Sequence, residues 1–228
     1  MTPGVPVSPL SVRIEVTTRC NARCVCCVRP TPGQHMEWET FERALEFVGP
    51  GVRVDLYGRG EPTLHPRLPE MVACAAQRGG RPHISTNGMR LDEDLLARLR
   101  EAGLCHVTFS LYASEPALHE RLQPGVDSER VWSHYAHCIS TGLSPVAVCV
   151  LMTPNLPDLP DLIRRVHSCG GRRVILQQVA FVPGGEIEAL APTDPANVET
   201  ARRWIAEARA EADRLGVHIE RNYAPILQ

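Results

Sequence analysis

The sequence predicts an α/β fold, a parallel sheet curled into a partial (β/α)6, TIM-like barrel. Three observations predict it. Short β-branched runs alternate along the chain with segments of helical periodicity. Four of the helical segments are closed by a glycine, at Gly103, Gly142, Gly170 and Gly216. Polar and cysteine-rich motifs fall just after the strands, where a barrel gathers its functional residues.

The elements follow in order. Ser11–Val16 reads as a first strand and Trp38–Phe47 as a helix with one apolar face. Arg53–Tyr57 is a second strand, Leu68–Gln77 a second helix, and Pro82–Ser85 a short third strand stopped by Asn87-Gly88. Asp92–Ala102 is a helix, His106–Leu111 a strand and Glu129–Ser140 a helix. Val146–Met152, the helix Leu159–Ser168, the strand Arg173–Ala180 and the long helix Pro195–Leu215 complete six βα units, with Val217–Glu220 as a short seventh strand. Strand–helix alternation argues for parallel pairing through right-handed crossovers. Residues 1–10 read as an N-terminal extension and 11–228 as one core domain, in keeping with 228 residues.

Composition narrows the function classes. Hydrophobic residues make up 43% and charged residues 22%, with a formal net charge of −2. That balance gives no electrostatic case for a nucleic-acid or membrane-surface partner. All 24 basic residues are arginines, which reads as codon bias and not as a phosphate-binding signal. No run approaches the ~18 apolar residues of a membrane span, and the N-terminus lacks the pattern of a signal peptide. The expected compartment is the cytoplasm, where thiols stay reduced.

Four of the nine cysteines fall between positions 20 and 27, which points to metal ligation over a disulfide framework. Cys20, Cys24 and Cys27 are spaced C-x3-C-x2-C. Three thiolates on a short loop can reach three corners of an iron–sulfur cubane and leave one iron open. A structural zinc site would need a fourth ligand, Cys26 or a distant residue such as His35. After the second strand comes Gly58-Arg59-Gly60-Glu61-Pro62, whose glycines permit a sharp turn and close approach to a ligand. The third strand ends in Ser85-Thr86-Asn87-Gly88 and the fourth carries Ser110.

These motifs together resemble the radical S-adenosylmethionine (SAM) superfamily, and the resemblance runs from about Val12 through the sixth strand. It is closest to members that continue into a SPASM or twitch auxiliary-cluster domain, but this chain has no cysteine after Cys169. The resemblance implies a [4Fe–4S] cluster on Cys20, Cys24 and Cys27, with SAM on the open iron. It implies SAM contacts from Gly58, Gly60, Glu61, Pro62, Ser85, Thr86, Asn87, Ser110, Asn155 and Gln178. Which of Gln177 and Gln178 points inward is open from sequence. Two departures stand out: Cys26 where relatives place an aromatic residue, and Tyr112 where they place an aspartate or similar residue.

The implied reaction is reductive cleavage of SAM to a 5′-deoxyadenosyl radical, which takes hydrogen from a substrate carbon. A small molecule is the expected substrate (a sugar, nucleoside or natural-product intermediate), with a redox-neutral outcome. A ribosomal peptide is the alternative, and a non-enzymatic metal-binding interaction module a second. A reductase, flavodoxin or ferredoxin is the implied electron donor. Cys149, inside the fifth strand, is a candidate hydrogen donor. His65 and His119 read as packing or capping residues, and Cys74, Cys105, Cys138 and Cys169 as structural.

Overall fold

The computed structural model describes residues 11–28, 32–179, 190–193, 197–223 and 227. The expected N-terminal extension, 1–10, lies outside the described residues, as do Ala180 and Pro195, the ends of an expected strand and helix. Two compact units are built from interleaved segments, the first from residues 1–20, 29–86 and 93–107, the second from 21–28, 87–92 and 108–228.

The first unit carries β1 (Ser11–Arg13), α1 (Trp38–Ala44), β2 (Arg53–Asp55), α2 (Leu68–Gln77), β3 (Arg81–Thr86) and α3 (Glu93–Glu101). Its strands pair in parallel in sequence order, with Arg13 opposite Asp55 and Asp55 opposite His83. The expected first helix divides into α1 and a 3-10 turn, Leu45–Phe47. Helix α2 buries Leu68, Met71, Val72 and Ala75, the i, i+3, i+4, i+7 stripe of an amphipathic helix. Each large apolar side chain so buried contributes about 1.5–3 kcal/mol.

Strand β4 (His106–Ser110) leads into the second unit, with α4 (Pro116–Leu122), α5 (Ser128–Ser140), β5 (Val146–Leu151), α6 (Leu159–Ser168), β6 (Arg173–Gln178), α7 (Val198–Leu215) and β7 (His218–Asn222). Strands β4 to β7 also pair in parallel in sequence order. One side of β5 and β6 is fully buried, through Ala147, Cys149, Leu151, Val174 and Leu176. The other side is partly open at Val148, Ile175 and Gln177. Helix α6 buries the same kind of stripe as α2, at Leu159, Leu162, Ile163 and Val166. Gly216 ends α7 at φ 66, a left-handed cap that a β-carbon would strain.

Helix α4 is an element that periodicity did not reveal. At 7 residues it is too short for a clear stripe. Its start is nonetheless written locally: Pro116 occupies the first turn, and the Glu115 side chain accepts from the amides of Ala117 and Leu118. No helix among the described residues is long and apolar enough to cross a membrane.

Candidate active site

In the first unit, the chain leaving β1 is tied down through Thr17 and Thr18. The Thr18 amide donates to Gln34 O at 2.9 Å, and the Thr17 hydroxyl to the same carbonyl at 3.1 Å. Thr17 Oγ1 in turn accepts from the Arg19 amide at 3.0 Å, one residue before Cys20. The Gly58–Pro62 segment comes against this backbone. The Glu61 amide donates to Arg19 O at 2.8 Å. A β-carbon on Gly60 would collide with Thr17 O and stand 2.7 Å from Arg19 O. The motif's second glycine is therefore demanded by the closeness of the two loops.

Glu61 is 3% exposed, and its carboxylate is built into a hydroxyl scaffold. Oε1 accepts from the Thr63 amide at 3.1 Å, the Thr63 hydroxyl at 2.6 Å and the Thr86 hydroxyl at 2.6 Å. Pro62 opens the short 3-10 turn that follows. The structure thus brings together Gly60, Glu61, Pro62 and Thr86, with Ser85 half-buried beside them in sequence. Gly58 lies against the flexible Glu15 side chain. His65 accepts from the Arg67 amide at Nδ1 and donates to Met36 O at Nε2, a local capping role. Burial lowers its pKa.

In the second unit, the cysteine-bearing loop Asn21–Val28 is stapled to the end of α4. The Arg23 amide donates to Pro124 O at 2.7 Å and the Val25 amide to Leu122 O at 3.0 Å. Cys27 N donates to Cys24 O at 3.1 Å, closing a turn. The Asn87 side chain donates to Asn21 Oδ1 at 2.8 Å and accepts from the Met89 amide at 3.0 Å, so it braces the loop. Gly88 follows at φ 79, where a β-carbon would also press on Phe109 and Val131.

Cys24 and Cys26 pack against an apolar wall that includes Tyr112, Leu118, Leu122, Val150, Met152 and Val179. The Cys26 thiol points at the Tyr112 hydroxyl, 3.8 Å away. Burial raises the pKa of both groups, so both stay protonated in this setting. Behind Tyr112 the ring of the fully buried His119 lies nearly parallel, 6.4 Å between centroids. His119 Nε2 meets Gln123 Oε1, and Gln123 Nε2 donates to Cys24 Sγ at 3.5 Å.

Three expected contacts sit in different surroundings. Asn155 is fully buried and its amide is committed to backbone: Nδ2 donates to Tyr112 O at 2.8 Å and Val150 O at 2.9 Å, and Oδ1 accepts from the Met152 amide. Gln178 alternates with the buried Val174 and Leu176, whereas Gln177 shares the partly open side with Ile175. Cys149 is 0% exposed, its thiol near Tyr112 O and its pKa raised by burial. Those surroundings describe a packing cysteine and weigh against a hydrogen donor. Ser110 is half-buried at the end of β4, on the side opposite Phe109. Asn21, Thr63, Tyr112 and Gln123 were not expected at the site; for Gln123 the usable signal is its i+4 spacing from His119 in α4.

No disulfide links the nine cysteines, and Cys20, Cys24, Cys26 and Cys27 are all half-buried. Among the described residues, no three His, Cys, Asp or Glu side chains stand in an arrangement ready to hold a metal ion. The assignment of Cys20, Cys24 and Cys27 to a cluster therefore rests on their spacing and their chemistry. That chemistry fits: soft thiols, an apolar wall behind two of the loop's cysteines, and an amide donor on the Cys24 sulfur.

The chain is similar to a PqqA peptide cyclase of Bradyrhizobium diazoefficiens, 29% identical over 88% of this chain and 55% of that protein. A probable GTP 3′,8-cyclase of Methanopyrus kandleri is 32% identical over 90% of this chain and 66% of that protein. The chain thus spans about half to two-thirds of the length of these relatives. Among solved structures, Streptococcus suis SuiB bound to S-adenosylmethionine matches 96% of this chain and 51% of its own, with a TM-score of 0.73 at 14% identity. The AdoMet-bound enzyme anSMEcpe matches 92% of this chain and 63% of its own, with a TM-score of 0.75 at 16% identity. These likenesses show the fold, a parallel α/β partial barrel of the expected class. The family model of the Radical SAM superfamily matches residues 14–166, which include the cysteine loop, the Gly58–Pro62 turn and the Thr86–Gly88 strand end. With fold, motifs and family model in agreement, the chain belongs to the radical SAM superfamily, whose enzymes work with a [4Fe–4S] cluster and SAM.

Proposed function

We propose that this enzyme cleaves SAM reductively at a cluster held by Cys20, Cys24 and Cys27, and uses the product radical to take hydrogen from a small organic molecule. The observation that supports it most is the cysteine loop, stapled by Arg23 and Val25 to the end of α4 and backed by an apolar wall. When bound, the cluster supplies one electron to SAM, whose broken sulfonium yields the hydrogen-abstracting 5′-deoxyadenosyl radical. The protein's own work is to hold and shield. The wall around Tyr112, Val150 and Met152 keeps water from the cysteine side. Gly60 and Pro62 shape the turn, and Glu61, oriented by Thr63 and Thr86, offers a carboxylate to the SAM ammonium. Ser85, Asn87 and Ser110 are proposed polar contacts of the cofactor. A reductase, flavodoxin or ferredoxin supplies the electron in the cytoplasm.

Substrate class is open to a direct test. With dithionite and SAM, anaerobically reconstituted protein should release 5′-deoxyadenosine slowly alone and faster with its substrate. Sugars, nucleosides and nucleotides including GTP form one arm of the screen, and peptides the other. The peptide reading draws on the relative named PqqA peptide cyclase and on SuiB bound to its precursor peptide. Acceleration by peptides alone would replace the small-molecule reading. A cluster-loaded, reducible protein that releases nothing with any candidate would end the enzymatic one.

Glu61→Gln keeps an oxygen for the Thr63 and Thr86 donors and removes the charge. SAM affinity should fall about 10- to 100-fold, the ~1.5–3 kcal/mol of a charge-assisted hydrogen bond. Iron content should stay near wild type. Unchanged affinity, measured by equilibrium binding, would make Glu61 a structural residue.

A further inference from the structure

We propose that Gln123 is a positioning residue for the cluster: its amide holds and polarises the Cys24 sulfur, and His119 holds the amide. The inference rests on Cys24 being a cluster ligand.

Gln123 is 1% exposed, and a buried amide left without partners costs about 1–3 kcal/mol. Here both ends are used. His119 sits one turn earlier, at i−4, and its Nε2 meets Gln123 Oε1. Burial lowers the His119 pKa against the opposing effect of that contact, which suits a neutral ring donating from Nε2. With the carbonyl end taken by that donor, the amide NH2 faces Cys24, Nε2 to Sγ 3.5 Å. The backbone holds the two residues in register. Carbonyls of Leu122 and Pro124, on either side of Gln123, accept from Val25 and Arg23, on either side of Cys24. Gly125, at φ 94, completes the clamp, since a β-carbon there would stand 2.7 Å from Asn21 O. An amide brought to a ligand sulfur by three such contacts is a built feature.

Its consequence is electrostatic. An N–H dipole aimed at a thiolate sulfur favours the more negative state of the group that sulfur binds. The reduced cluster carries one more negative charge than the oxidised one. Gln123 therefore eases the electron uptake on which SAM cleavage depends.

The test replaces Gln123 with Leu, which is of similar bulk and has no N–H. Iron and sulfide content, the midpoint potential from an EPR-monitored titration and exchangeable-proton couplings in pulsed EPR are read beside SAM cleavage. The cluster should be retained and the reduction equilibrium should fall about tenfold, about 59 mV for one electron. One exchangeable-proton coupling should disappear. His119→Leu, which frees the amide to turn, should shift the potential the same way by less. An iron-loaded Gln123→Leu with unchanged potential and couplings would overturn the proposal. Should that variant take up no cluster, His119→Leu decides: a lowered potential supports the role and an unmoved one overturns it. Failure of the underlying reading is seen separately, as a cluster in Cys24→Ala that matches wild type.

Discussion

Cys20→Ala, Cys24→Ala and Cys27→Ala should each lose the cubane and abolish SAM cleavage, while Cys26→Ala keeps the cluster. The four thiols are alike in burial and none forms a disulfide, so exposure alone does not separate them. Spacing and surroundings do. Only one choice gives C-x3-C-x2-C, and Cys26 already has a different task. Its thiol donates to the buried Tyr112 hydroxyl at 3.8 Å, and burial holds it in the protonated form that is a poor ligand. Cys26 thus fills a space against the apolar wall where relatives carry an aromatic ring. Its removal should cost about 1 kcal/mol of stability through a small void and a weakened contact. Wild type should bind about four irons per chain after anaerobic reconstitution. Iron and sulfide analysis with EPR of the reduced proteins checks all four variants. Loss of the cluster in Cys26→Ala with retention in Cys27→Ala would reverse the assignment.

What the sequence allowed to be read follows the range of each signal. Strands and helices with complete periods, such as Leu68–Gln77 and Leu159–Ser168, appear at their expected bounds because one stripe defines them. Helix α4 was missed because seven residues hold too few turns for a stripe, and with it went the pairing of His119 and Gln123. Strand phase was the other gap. Whether Gln177 or Gln178 shares the partly open side, and which side holds Cys149, depends on register, and one residue reverses the answer. The structure pairs Cys149 with Leu176 and buries both fully. Asn155 illustrates a third limit: an asparagine after a strand can serve a ligand or its own turn, and here its amide serves the turn. The motif turns were legible because their chemistry is local, and the closeness that explains their glycines needed coordinates.

That closeness makes Gly60→Ala the most damaging of three otherwise similar substitutions. The added β-carbon would collide with Thr17 O and lie 2.7 Å from Arg19 O, both backbone atoms that no rotamer change can move. The strain falls on the hydrogen bond from the Glu61 amide to Arg19 O and on the chain just before Cys20. Overpacking of this kind costs about 1–3 kcal/mol and loss of the buried bond about 1 more. A destabilisation of roughly 2–4 kcal/mol is therefore expected in urea unfolding. Iron uptake should fall with it, because Cys20 follows the displaced segment. Gly58→Ala meets the Glu15 side chain, which can swing aside at the loss of its contact with the Arg59 amide, so a smaller cost is expected. Gly49→Ala meets nothing within 4 Å at an ordinary backbone angle and should lie within about 0.5 kcal/mol of wild type. The order Gly60, Gly58, Gly49 is the measurable content. A Gly60→Ala protein as stable and as iron-loaded as Gly49→Ala would mean that the two loops do not meet as closely as their backbones are placed here, and the steric reason for the second glycine of the motif would be lost.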